Sequence, residues 1–171
     1  QYLTTTLEGV LSQDPGESMM QIEVVDDGST DADVRQLVLE TGGGRIGYFR
    51  QPANVGSLRN FLTCLQRAKG DLVHLLHGDD CVRPGFYRRI GCLFSKYPSI
   101  GAAFCRYAYI DERGQLLYPQ ELEMQTEGIL GNWLERICER QRIQYAAIVV
   151  RRGVYEKVGG FYGVEYGEDW E

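Results

Sequence analysis

The sequence contains no Cys-x-x-Cys pair, no apolar run approaching the ~18 residues of a bilayer span, and no basic leader followed by an apolar stretch. It is also short of positive charge: 18 lysines and arginines face 24 aspartates and glutamates, a formal charge of −6. These shortages argue against a zinc knuckle, a spanning helix within these residues and a general nucleic-acid surface. Cys64, Cys81, Cys92, Cys105 and Cys138 are an odd, scattered set, which suits a reduced, cytoplasmic setting better than a disulfide framework.

What is present is an ordinary globular composition, 43% hydrophobic and 25% charged, over 171 residues, enough for one domain with its own core. Three acidic pairs stand out. Asp79-Asp80 closes the apolar stretch Leu72-Val73-His74-Leu75-Leu76, Asp26-Asp27 closes Ile22-Glu23-Val24-Val25, and Glu168-Asp169 stands beside Trp170. Carboxylates where a buried strand meets solvent are where an open α/β sheet holds a divalent cation and a phosphorylated ligand, so the three pairs point to one site. An acidic protein that binds an anion needs such a cation or local arginines, and Arg59, Arg88, Arg89, Arg151 and Arg152 are candidates.

The element order alternates. Apolar spacing predicts a helix over 2–12, a strand over 22–25, then a helix capped by Ser29-Thr30-Asp31 and ended by Gly42-Gly43-Gly44. A strand over 46–50, a helix over 57–68, the strand before Asp79 and a helix opened by Pro84 and stopped by Tyr97-Pro98 follow. Residues 100–110 read as one strand turning through Asp111-Glu112-Arg113-Gly114 into 115–118 as a hairpin. Residues 119–128 have no clear period, 130–141 read as a helix, 146–150 as a strand and 154–158 as a short helix closed by Gly159-Gly160. Such alternation indicates a three-layer α/β/α domain with a mainly parallel sheet and a hairpin inserted late. The whole chain reads as one domain, 1–171, expected to lack the first strand and a C-terminal part of its fold.

Gly42-Gly43-Gly44-Arg45-Ile46-Gly47 satisfies Gly-x-Gly-x-x-Gly, but it follows a helix and precedes a strand, so its amides would not converge on a pyrophosphate. Val24-Val25-Asp26-Asp27-Gly28-Ser29-Thr30-Asp31 is more specific: an acidic strand end, a glycine turn and a helix cap can grip a nucleoside by base or ribose. The plainer reading is a strand-to-helix turn with a good cap.

Four stretches in this order resemble the family 2 glycosyltransferases: 25–31; Asn54-Val55-Gly56 with Arg59-Asn60; Gly70-Asp71 through His77-Gly78-Asp79-Asp80 to Pro84; and Gly159-Gly160-Phe161 to Glu168-Asp169-Trp170. The resemblance implies a nucleotide-sugar-binding domain of GT-A, Rossmann-like topology. It implies an inverting hexosyltransferase that moves a sugar from a nucleoside diphosphate, a UDP-sugar first, to a glycan or lipid-linked acceptor in cell-envelope polysaccharide synthesis.

By the same resemblance Asp27 meets the base and Arg59 lies against base and phosphate, with Asp26 and Gly78 in the nucleotide site. Asp79 binds Mg²⁺ or Mn²⁺. Asp169 is the general base, and Glu168, Trp170 and Asp80 contact the acceptor or support the site. No nucleic acid is expected, and peripheral attachment to the inner face of a membrane through segments outside this chain fits the resemblance.

Where many members carry an acid two residues before the metal-binding Asp, this chain has His77. Ligand, ribose contact and polar strand end are its open roles, and a lone histidine is more often structural. His74, inside the apolar run, reads as a core histidine. Tyr107, Tyr109 and Tyr118 suit either packing or an acceptor sugar. Two other functions compete: a non-catalytic sugar-nucleotide or protein-binding domain of the same fold, and a receiver-like domain holding Mg²⁺ on Asp26-Asp27, for which a well-placed later Thr and Lys-Pro are missing.

Overall fold

The computed structural model describes residues 2–163. Helix α1 (Tyr2–Leu11) turns Leu7 and Val10 inward, and Thr6 is the one polar residue buried with them. Strand β1 (Glu23–Asp26) pairs in parallel with β2 (Gly47–Arg50), and α2 (Val34–Gly42) crosses between them. The first core joins these elements through Leu7, Val10, Ile22, Val34, Val38, Ile46 and Val82.

The cap of α2 is Asp33, whose carboxylate accepts the Gln36 N–H at 3.0 Å, rather than the expected 29–31 segment. Ser29 is occupied instead in the turn after β1, where its N–H reaches the Asp26 carboxylate. Gly43, in the left-handed region at φ 53°, ends the helix as expected.

Helix α3 (Ser57–Arg67) leads to β3 (Leu72–Val73), and α4 (Phe86–Lys96) follows. The apolar run 72–76 is inward-facing at Val73 and Leu75, but only two residues of it form a ladder. Burial needs apolar side chains, whereas a ladder needs a partner backbone, and here the partner pairs only with Leu72 and Val73.

That partner is a late strand. After β4 (Ala102–Phe104), the hairpin β5 (Ala108–Ile110) and β6 (Leu116–Pro119), and α5 (Trp133–Glu139), a 3-10 turn at Tyr145–Ala147 enters β7 (Ile148–Arg151). Strand β7 runs antiparallel between β3 and β4, so β3 and β4 point the same way with β7 inserted between them. Among the described residues, parallel pairing is confined to β1 and β2. Helix α6 (Arg152–Val158) closes the described chain, and the second core, Ile90, Phe94, Ala103 and Val149, packs α4 on this sheet.

The stretch 100–110 is two strands, because residues 105–107 leave β7 and the chain re-pairs with β6. Asp111 turns the hairpin by accepting the N–H groups of Arg113 and Gln115. The expected helix over 130–141 is shorter, and Glu123 ties it down by ion pairs with Arg136 within the helix and Arg142 beyond its end. No described helix is long and apolar enough to cross a membrane.

Candidate functional site

The turn after β1 is built on a buried carboxylate. Asp26 accepts the Ser29 N–H at 2.8 Å, the Tyr48 hydroxyl at 2.7 Å and the Arg50 guanidinium at 2.7 Å. Burial alone would push its carboxyl up, but these hydrogen bonds and the Arg50 charge together hold it below the usual carboxylate range. Its side chain is 1% exposed, so Asp26 shapes the turn from beneath.

Asp27, the next residue, faces the β2–α3 loop. Its two oxygens accept the N–H groups of Val55 at 2.8 Å and Gly56 at 3.0 Å, just ahead of α3. Gly28 makes this approach possible: at φ 76° it is left-handed, and a Cβ there would stand 3.0 Å from the Asn54 nitrogen. Asn60, one turn into α3, donates to the Val25 carbonyl at 3.1 Å. The acidic strand end and the Asn54-Val55-Gly56 motif are therefore one hydrogen-bonded unit, with Arg59 exposed on the first turn of α3.

The same helix reaches the second motif. Phe61 stacks on His77, ring centroids 5.3 Å apart and planes within 7°, and Tyr145 from the 3-10 turn lies 5.0 Å from the imidazole. Phe161, after α6, joins both Phe61 and Tyr145. His77 Nε2 is buried without a hydrogen-bond partner, while Nδ1 lies 3.7 Å from an Asp80 oxygen.

Gly78 and Asp79 form the exposed tip of the turn that follows. The Thr6 hydroxyl of α1 secures it from below, lying 2.7 Å from the Asp80 carbonyl and 3.1 Å from that of Gly78, with the shorter contact the natural one for its single hydrogen. One donor atom each from His77, Asp79 and Asp80 lies within 4.8 Å of the others. Burial pushes the Asp80 carboxyl above its usual range; His77 opposes that shift and the Asp79 charge adds to it. Two carboxylates and an imidazole so placed are a donor set for a divalent cation.

Other sequence candidates are committed elsewhere. Arg151 donates to the carbonyls of Ile100 and Pro98, and Arg152 to Gly70 and Glu156, so both fasten the ends of the central sheet. Arg89 stands 3.8 Å from Glu127. His74 is a core histidine as expected, with Nδ1 3.2 Å from the Tyr87 hydroxyl, and burial pulls it down to about 4. Tyr107, Tyr109 and Tyr118 form a row of touching rings on the hairpin. Glu168, Asp169 and Trp170 lie outside the described residues. Thr6, Phe61 and Tyr145 were not foreseen; the only hint was a threonine within the apolar stripe of α1.

The sequence matches the model of glycosyl transferase family 2 over residues 1–159. The chain belongs to that family. A relative from Mycobacterium tuberculosis (strain CDC 1551 / Oshkosh), described as uncharacterized protein MT1568, is 28% identical over 176 residues, covering 91% of this chain and 51% of its own length. Among solved structures, S. aureus TarS 1-349 superposes with a TM-score of 0.80 at 19% identity, covering 99% of this chain and 49% of that one. A mannosyltransferase from Pyrobaculum calidifontis, solved with GDP-Man and Mn²⁺, superposes with a TM-score of 0.66 at 17% identity, covering 94% of this chain and 44% of that one. These likenesses show the GT-A fold. The family 2 chain thus spans about half the length of the relatives it matches.

Proposed function

We propose that this chain is the donor-binding half of an inverting glycosyltransferase that moves a sugar from a nucleoside diphosphate, UDP first, to a glycan or lipid-linked acceptor. The observation that carries the reading is the donor trio His77, Asp79 and Asp80 on a pinned turn, stacked through Phe61 on the helix whose start is held by Asp27. The TarS structure solved with UDP and the mannosyltransferase solved with GDP-Man and Mn²⁺ share this fold, which supports a sugar-nucleotide ligand here.

Asp79 and Asp80 are the carboxylates we assign to a bound Mg²⁺ or Mn²⁺. Such an ion, when bound, neutralises the charge that gathers on the departing diphosphate. Asp27 holds the Asn54-Val55-Gly56 loop against the end of β1, on the side we assign to the nucleoside, and the exposed Arg59 offers a planar cation to base or phosphate. Asp169 is assigned as the base: it takes the proton of the acceptor hydroxyl as that oxygen bonds to the anomeric carbon and the bond to the diphosphate oxygen breaks. Attack from the face opposite the leaving group inverts the centre. Glu168 and Trp170 would flank the acceptor, and the hairpin tyrosines suit the apolar face of a sugar ring. Cell-envelope polysaccharide assembly in the cytoplasm is the assigned setting, and the five free cysteines suit a reducing compartment.

The test is transfer of a radiolabelled sugar from UDP-, GDP- and dTDP-sugars to glycan and lipid-linked acceptors by the full-length protein with Mn²⁺, beside Asp79→Ala. Transfer from one donor class, abolished in Asp79→Ala with the fold intact by circular dichroism, is the expected result. Binding without turnover would make the domain a non-catalytic receptor for sugar nucleotides.

A further inference from the structure

We infer that His77 supplies a nitrogen ligand to the cation of the proposed donor site and thereby makes it select first-row transition ions, Mn²⁺ and Co²⁺, over Mg²⁺. The inference rests on the sugar-nucleotide reading above and deepens it.

Three observations carry it. First, the imidazole is held as a ligand must be held: Phe61 lies parallel to it at 5.3 Å and Tyr145 sits against it at 5.0 Å, so the ring plane is set by packing from α3 and from the 3-10 turn. Second, its Nδ1 is on the Asp80 side, 3.7 Å from the carboxylate oxygen, and the His77, Asp79 and Asp80 donor atoms lie within 4.8 Å of one another. Ligand atoms on one octahedral cation with bonds of about 2.1 Å are about 3 to 4.2 Å apart, so a small rotation of the exposed Asp79 brings the set to size. Third, Nε2 is enclosed without a partner. The enclosed side of the ring leaves Nδ1 as the nitrogen within reach of the carboxylates.

The donor chemistry gives the ion preference. Mg²⁺ is small and hard, demands near-ideal octahedral oxygen ligation and gives up water reluctantly. Imidazole nitrogen favours first-row transition ions, whose affinities rise from Mn²⁺ to Co²⁺. An aspartate at position 77 would offer oxygen alone. Loss of even an outer partner of a metal ligand shifts affinity about 10–100-fold, so loss of a ligating nitrogen should cost at least tenfold.

Chelator-treated full-length protein, titrated by calorimetry with UDP and with GDP in Mg²⁺, Mn²⁺ or Co²⁺, tests this. The better nucleotide should bind about tenfold tighter with Mn²⁺ than with Mg²⁺, and tighter again with Co²⁺. His77→Asp should bring Mn²⁺ and Mg²⁺ within about threefold, and His77→Phe, which keeps a ring against Phe61 and Tyr145, should lose about tenfold in Mn²⁺-dependent affinity. Pulsed electron paramagnetic resonance of bound Mn²⁺ should show imidazole nitrogen coupling in the parent and none in either variant. Absence of nitrogen coupling in the parent while nucleotide binds, or an unchanged Mn²⁺/Mg²⁺ ratio in His77→Asp, overturns the inference alone. No binding of either nucleotide with any ion overturns it together with the proposed function.

Discussion

The carboxylate of Asp27 accepts the Gly56 N–H at 3.0 Å, so the end of β1 and the start of α3 are one construction, although 29 positions separate the two residues. The Val55 N–H on the other oxygen, at 2.8 Å, doubles the tie. Any nucleoside that Asp27 helps to bind meets a side chain already committed to shaping the loop.

Asp27→Ala should therefore weaken UDP about tenfold or more while affecting inorganic pyrophosphate much less, since two charge-assisted hydrogen bonds that shape the nucleoside side are lost. Calorimetry gives the affinities. Hydrogen exchange should rise at residues 53–57. Equal losses for UDP and pyrophosphate would remove Asp27 from the nucleoside side.

Thr6 is a positioning residue for the cation turn. Thr6→Val keeps the shape but takes away the hydrogen that the Asp80 carbonyl accepts, which should lower stability by about 1–2 kcal/mol. Mn²⁺-dependent UDP affinity should fall several-fold with ion-free affinity unchanged, and Thr6→Ser should restore both. A stability loss without the change in cation dependence would make Thr6 purely structural.

His74 should make the fold acid-sensitive. Its folded pKa, pulled to about 4, lies below the unfolded value near 6.5, so the unfolded chain takes up the proton first. Its contribution is fully present above pH 6.5 and is lost as pH falls toward 4, by about 1 kcal/mol already at pH 5.5. Urea unfolding at pH 7.5 and 5.5 should show this difference in the parent and a smaller one in His74→Phe.

Asp169→Asn in the full-length enzyme should keep donor affinity within a few-fold and lower turnover by roughly 10²-fold or more, because only the proton acceptor is removed. Single-turnover kinetics with the donor identified by transfer separates the two. Near-normal turnover would shift the assignment to Glu168.

The sequence by itself determined the layout. Periodicity placed α1, α3 and α4 within a few residues, the pair Asp26-Asp27 marked the end of β1, and four ordered motifs pointed to the family that the match over 1–159 then established. Those signals are local: apolar spacing follows the 3.6-residue turn, and glycine and acidic residues mark where strands end.

Only the tertiary structure decided which carboxylate does what. Asp26 and Asp27 are adjacent and chemically equal in the sequence, yet the alternation of side chains along the strand end turns the first under β2, against Tyr48 and Arg50, and the second toward the α3 loop. The late return of β7 between β3 and β4, the pinning of Asp80 by a threonine 74 positions earlier, and the stack of Phe61 on His77 are contacts between distant segments. No short-range pattern encodes them, because they arise from how whole elements bury their faces against one another.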